Sequence, residues 1–135
     1  PVIFKILMTD SEKLGVRCLR LTRDCLARSR KISHGHWLYR ISHAAIFEML
    51  SGRARKTLIA KNIRHAQITF GLLQDSRVDE NYILKLLPEL PLGDSELYSH
   101  PSLDEFKREF DALVSPRVKE QVEKLGIKLI RYQDL

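Results

Sequence analysis

Lys13-Leu14-Gly15-Val16-Arg17-Cys18-Leu19-Arg20-Leu21 is echoed near the other end of the chain by Lys124-Leu125-Gly126-Ile127-Lys128-Leu129-Ile130-Arg131-Tyr132. Each copy reads as a helix end, a glycine and a short strand. Glycine suits the first residue past a helix because that position often takes a left-handed backbone, which costs little without a Cβ. An apolar extended stretch follows at once in both copies. Two such joints predict repeated helix-to-strand connections, so the expected fold class is α/β with parallel strands.

The residues between the two copies fit that scheme. Residues 3–14 predict a helix with Phe4, Leu7 and Met8 on one side, and residues 68–73 predict a strand or its exit. Residues 78–87 predict a helix with Ile83, Leu86 and Leu87 facing inward. Pro88, Pro91 and Gly93 mark a loop. Glu96-Leu97-Tyr98-Ser99 reads as a short strand that ends at His100-Pro101. Ser102 and Glu105 have the spacing of a capping box, which predicts a helix from about Ser102 with Leu103, Phe106, Phe110 and Leu113 as its apolar stripe. Ser115 and Pro116 suit the cap and first position of a last helix, with Val118, Val122 and Leu125 as its inner face. Ala44 to Leu50 is a helical stretch that residues 53–62 continue past Ser51-Gly52. Residues 25–62 therefore read as a helical, basic insertion within a single partial domain spanning 1–135.

With 44% apolar and 30% charged residues, the chain falls in the soluble globular class. It lacks the run of about 20 apolar residues that a membrane-spanning helix needs. Charge is unevenly placed. Residues 17–64 hold twelve Lys and Arg against two acids, while residues 65–135 hold nine against thirteen. Within the basic segment, Trp37, Tyr39, Ile46, Phe47, Met49 and Leu50 interleave with Arg40, Arg53, Arg55 and Lys56. That mixture suits an anionic membrane surface. The alternative is that the aromatics pack inward and the cations face water. A nucleic-acid module is a competing class for the same segment, but no helix-turn-helix, zinc-finger or RNP motif accompanies it. Cys18 and Cys25 form no CxxC pair, which excludes a zinc ribbon or thioredoxin motif. Both are expected to be reduced residues of a cytoplasmic protein, Cys18 in the core. In His34-Gly35-His36, with His43 beyond, alternate imidazoles have the reach to share a metal ion, but no carboxylate stands near to complete a shell. His65, beside Arg64, is expected at the surface.

Five blocks stand in order along the chain: Pro1-Val2-Ile3-Phe4-Lys5-Ile6-Leu7 with Leu14-Gly15-Val16-Arg17; Arg20-Leu21-Thr22-Arg23-Asp24; Ile63-Arg64-His65 through Phe70-Gly71-Leu72; Glu96-Leu97-Tyr98-Ser99-His100-Pro101; and Leu113-Val114-Ser115-Pro116-Arg117-Val118 with Leu125-Gly126-Ile127-Lys128-Leu129-Ile130 and Asp134-Leu135. They resemble the YdjC-like carbohydrate deacetylases (the ChbG/HpnK family), most nearly the hopanoid-associated HpnK branch. Residues 25–60 lie outside the likeness. Two departures stand out: Thr22 replaces a usual proline, and Ala66-Gln67 occupy a stretch where the family carries an aspartate.

The resemblance implies a (β/α) barrel-like fold related to polysaccharide deacetylases, of which this chain would be the C-terminal portion. It implies metal-dependent hydrolysis of an N-acetyl group on a glucosamine-containing glycolipid, such as a glycosylated hopanoid, or on a chitooligosaccharide. A divalent metal, zinc or magnesium, would be held by an aspartate and two histidines of segments expected before Pro1, so the chain alone is expected to be inactive. It implies a cytoplasmic protein, peripheral to the inner membrane if the basic segment docks there. A partly built barrel would leave open sheet edges, which favours homo-oligomers.

Deacetylation needs a base for the attacking water and an acid for the departing amine. His100 closes a short strand, where α/β barrels place catalytic groups, and it is the candidate acid or intermediate-binding residue; the alternative is a histidine satisfying backbone groups. Arg20, at the end of the earlier strand, is the second catalytic candidate, able to orient a carboxylate or bind substrate oxygens; the alternative is an exposed arginine paired with Asp24. Arg23 and Glu96 are substrate-binding candidates, although Glu96 also reads as a surface carboxylate. A non-catalytic scaffold derived from the family is the remaining alternative.

Overall fold

An apolar stretch that leaves a helix needs partners for its backbone N–H and C=O groups. The computed structural model describes residues 2–24, 37–74 and 77–135 and shows where those partners are. Helix α1 (Val2–Thr9) buries Met8. Turns carry the chain on to Gly15, whose φ is +63°. There Gly15 N–H bonds to Glu12 O (3.1 Å) and Val16 N–H to Ser11 O (2.9 Å). The next residues then run beside 63–69. Leu19 N–H donates to Arg64 O and Arg64 N–H to Arg17 O, both 2.9 Å, forming a parallel bridge between Cys18 and Arg64. Farther along, Thr69 N–H donates to Arg23 O (2.8 Å), one residue out of register with that bridge. Between these points the ladder is broken, because Arg23 N–H turns back onto Leu21 O (2.7 Å).

Helix α2 (Trp37–Ala60) continues through Ser51 and Gly52 without a break. Its buried anchor is Leu58, fully enclosed with Met8, Leu21 and Ile63. Around the rest of its circumference Ile41, Ile46, Met49, Leu50 and Ile59 are exposed. The helix ends on Asn62, with φ of +54°. Asn62 N–H reaches Ile59 O (3.1 Å) and Ile63 N–H reaches Leu58 O (2.9 Å). This is the closure seen at Gly15, with asparagine in the left-handed position.

Strand β1 (Ile68–Phe70) follows and pairs in parallel with β2 (Ser95–Leu97), Ile68 facing Ser95 and Phe70 facing Leu97. Between them lies α3 (Glu80–Leu86), capped by Asp79, whose carboxylate accepts Tyr82 N–H (2.8 Å), and extended by a 3-10 turn at Leu87–Glu89. Helices α4 (Lys107–Leu113) and α5 (Pro116–Lys124) complete a second core with Phe70, Val78, Tyr82, Ile83, Leu86, Ala112 and Val118. The architecture is thus α/β with helices and a small parallel sheet, and the described residues do not by themselves close a barrel.

Five local expectations change. The helix expected over 3–14 ends at Thr9, and turns carry residues 10–15. The helix expected from Ser102 begins at Lys107 with no side-chain cap, and Ser102 Oγ accepts Phe106 N–H (2.8 Å) instead of forming a capping box. Residues 101–106 are used to turn the chain around Phe106, leaving Leu103 exposed. The strand expected after Gly126 does not form. Gly126 (φ +64°) closes α5 as Gly15 closes its own turn, with Gly126 N–H on Glu123 O and Ile127 N–H on Val122 O, both 3.0 Å. Residues 127–132 then wall an apolar cavity of about 850 Å³ against β2 and α5 and enter no ladder among the described residues. Cys18 and His65 are half-buried, the former by its bridge and the latter with Nδ1 2.9 Å from Ala66 O.

Candidate functional site at the carboxyl end of β2

Residues two apart on an extended chain share a face. Glu96, Tyr98 and His100 follow that rule as the chain leaves β2, and all three enter one group of contacts. Arg20 meets Glu96 Oε1 through both Nε and Nη2. Its guanidinium also lies 5.0 Å from the centre of the Tyr98 ring. Tyr98 Oη is 2.8 Å from His100 Nε2, and the two rings meet edge to face at 4.7 Å. The Phe106 ring lies 5.8 Å from the imidazole, tilted by 39°. The structure therefore brings together Glu96, Arg20 and His100, three residues singled out in the sequence, through Tyr98, which was not.

The Glu96 side chain is only 11% exposed, which corrects its reading as a surface carboxylate. Register places it beside Thr69, whose hydroxyl stands 3.4 Å from Glu96 Oε2 and 2.9 Å from Leu21 O. With Oε1 taken by Arg20, Glu96 is occupied in holding the guanidinium. Its hydrogen bond raises the pKa of Arg20 above the ordinary arginine value, so that cation is permanent. Three of the five guanidinium N–H donors remain when Nε and Nη2 each give one to the carboxylate, and the Arg20 side chain is 46% exposed, within reach of a ligand. Arg23 is not part of this group. Its Nε pairs with Glu48 Oε2 of α2 (3.2 Å). Asp24 is buried and accepts the N–H of Leu73 (3.2 Å), steadying the turn after β1.

That turn requires glycine. Gly71 has φ of +96°, and a Cβ there would fall 2.1 Å from the carbonyl oxygen of Tyr98. Tyr98 N–H donates to Phe70 O (2.8 Å), so Phe70-Gly71 sets the depth at which Tyr98 leaves the sheet. On the far side of His100, Glu109 is 1% exposed. Its Oε2 accepts the N–H of His100 (2.5 Å) and its Oε1 that of Val78 (3.0 Å). Sequence reading missed Tyr98 and Glu109 alike. The alternation Glu96, Tyr98, His100 was a usable signal for the first. Glu109 stands three residues after Phe106, on the edge of the apolar stripe, and nothing local distinguishes it from a solvated helix acid.

Tyr132 borders the same carboxylate from the cavity side. Burial, then the charge of Glu96, pushes its phenol up to about 12. The hydroxyl is buried without a hydrogen-bond partner of good geometry.

Among the described residues, no group of three or more His, Cys, Asp or Glu side chains is placed to hold a metal ion. His100 Nε2 is engaged by Tyr98, and Glu109 by two backbone donors. His43 stands edge-on to Phe47 at 6.1 Å. Cys25, His34 and His36 lie outside the described residues, as do the side chains of Trp37, Tyr39 and Arg40. No described helix is long and apolar enough to cross a membrane.

No curated protein matches the chain, and no solved structure does. A family model does match, over a span that includes residues 25–60, where no motif had been found, and that stops short of the second glycine joint. Residues 1–124 fit the model described as YdjC-like protein, and the chain belongs to that family.

Proposed function

We propose that the residues around His100 form part of the active site of a hydrolytic carbohydrate N-deacetylase, acting on an N-acetylglucosamine unit of a glycolipid or a chitooligosaccharide. The YdjC-like family is associated with carbohydrate deacetylase activity. The observation that carries the reading is the unbroken set of contacts from Glu96 through Arg20 and Tyr98 to His100, at the carboxyl end of a parallel strand. Open α/β sheets and barrels place reactive groups at that end. In the reaction, water adds to the acetyl carbon, the C–N bond breaks, and acetate leaves. His100 gives its proton to the departing amine nitrogen. Arg20, held by Glu96, offers its free N–H groups to a sugar or acetyl oxygen. The divalent metal implied by the resemblance would polarise the acetyl oxygen. The described residues supply no ligand set for it, and no step above runs through it.

Acetate release from N-acetylglucosamine oligomers by the complete gene product tests the proposal. His100→Ala is expected to lower kcat about a hundredfold or more, with a smaller change in KM. Full activity in that variant removes His100 from the chemistry. No release from any N-acetylated sugar, with or without added divalent metal, favours a non-catalytic scaffold.

A second reading, docking on an anionic membrane, is favoured by the outward side of α2, where Ile41, Ile46, Met49, Leu50 and Ile59 are exposed together with Arg53 and Lys56. Vesicle sedimentation tests it.

A further inference from the structure

A histidine that passes a proton needs a ring held in one orientation and one nitrogen left free. His100 is exposed at the end of β2, yet it is gripped at three points. Glu109 Oε2 accepts its backbone N–H at 2.5 Å. Tyr98 Oη meets Nε2 at 2.8 Å. The rings of Tyr98 and Phe106 contact it at 4.7 and 5.8 Å. We infer that Tyr98 and Glu109 are positioning residues for His100, with Tyr98 fixing its tautomer so that Nδ1 is the working nitrogen. The inference rests on the reading of His100 as the proton donor.

The direction of the Tyr98–His100 bond follows from what lies over the phenol. The Arg20 guanidinium, 5.0 Å from the ring centre, draws electron density from the ring face. That makes the phenol a better donor and a poorer acceptor. Tyr98 O–H therefore donates to Nε2, and the proton of the neutral imidazole sits on Nδ1. When His100 is charged both nitrogens carry protons, Tyr98 Oη turns to accept from Nε2–H, and the proton released toward a substrate is the one on Nδ1; the Nε2–H ring left behind returns to the Nδ1–H form by proton exchange with water, and the phenol turns back to donate. Glu109 acts on the backbone. A carboxylate that is 1% exposed is costly unless its oxygens are satisfied, and here both are, by His100 N–H and Val78 N–H. It ties the segment that follows β2 to the segment that precedes α3. Arg20 thus acts through the electronics of Tyr98 as well as through its own free donors.

Nitrogen NMR of the complete gene product labelled with 15N-histidine reads the tautomer directly. His100 is assigned by the signal lost in His100→Ala. At a pH where the ring is neutral, His100 is expected to show the Nδ1–H pattern. Tyr98→Phe is expected to move it toward the Nε2–H form favoured by free imidazole, and to lower kcat about tenfold with KM changed less than twofold. Glu109→Gln, which sets an amide NH2 or a single oxygen against two backbone donors, is expected to shift the His100 amide resonance upfield and to speed its hydrogen exchange. An Nε2–H pattern in the unaltered protein, or an unchanged pattern and kcat in Tyr98→Phe, overturns the role of Tyr98. An unmoved His100 amide in Glu109→Gln overturns that of Glu109; if that variant does not fold, Tyr98→Phe still decides the tautomer. The NMR readouts do not depend on turnover. Failure to release acetate therefore sinks the proposed function and leaves the tautomer result standing, while an inactive His100→Ala beside a fully active Tyr98→Phe sinks only this inference.

Discussion

Tyr132 tests whether the buried edge of the site is a stabilising feature or a tolerated one. Its hydroxyl is buried without a good partner, so replacing it with hydrogen removes an unsatisfied group. Tyr132→Phe is expected to leave stability near neutral pH unchanged or slightly higher. The difference widens in alkali. The folded chain holds the phenolic proton more tightly than the unfolded chain, with a pKa of about 12 against an ordinary 10.0. The resulting stabilisation is fully present below pH 10 and is lost as the pH rises toward 12. Urea midpoints at pH 8 and pH 11 check this: the unaltered chain should lose more stability over the interval than Tyr132→Phe. Equal losses would show that the phenol is not held as described. At this scale the sequence was informative about residue type and position, and silent about pairing. Arg20, Glu96 and His100 were each visible as single candidates. That Glu96 is spent on Arg20, and Arg23 on Glu48, depends on neighbours 76 and 25 residues away.

Helix ends show how far local chemistry reaches. Ser115 and Pro116 behave as the sequence predicts, with the serine oxygen accepting Val118 N–H at 3.4 Å. Its hydroxyl also donates to Glu80 Oε1 (2.5 Å), and Arg117 joins the same carboxylate through Oε2 (2.9 Å), so the start of α5 is tied to the start of α3. Ser115→Ala is expected to cost about 1 kcal/mol from the lost cap, a fall in Tm of about 3 °C. Thermal unfolding followed by circular dichroism measures it, and no change would mean that Arg117 alone holds the junction. The two glycine joints are equally local: both close with the same pair of backbone bonds. The third, at Asn62, escaped notice because asparagine stood where glycine was sought, although it is the next residue to tolerate that backbone. Ser102 failed as a cap because its spacing to Glu105 says nothing about whether the intervening turn is needed elsewhere.

At the scale of the whole molecule the described residues form two apolar cores, one around Leu58 and one around Phe70, with the site residues Arg20, Glu96 and His100 near the sheet they flank. Neither core covers the outer side of α2. If that side docks on membranes, the protein should sediment with vesicles containing anionic lipid, and Arg53→Glu with Lys56→Glu should reduce the bound fraction several-fold. Equal binding to neutral and anionic vesicles, or none to either, would sink the idea. The sequence by itself determined the α/β class, the presence of α1, the helix spans of α3 and α5, the glycine joints and the strand that delivers His100. These follow from periodicity, caps and left-handed positions, which act over a few residues. Only the tertiary structure decided that the segment after Gly15 pairs with residues 64–69 while its near copy after Gly126 borders a cavity. It alone decided that Glu109 is buried under His100. A strand needs a neighbour and a buried charge needs donors, and both come from parts of the chain that no local pattern can name.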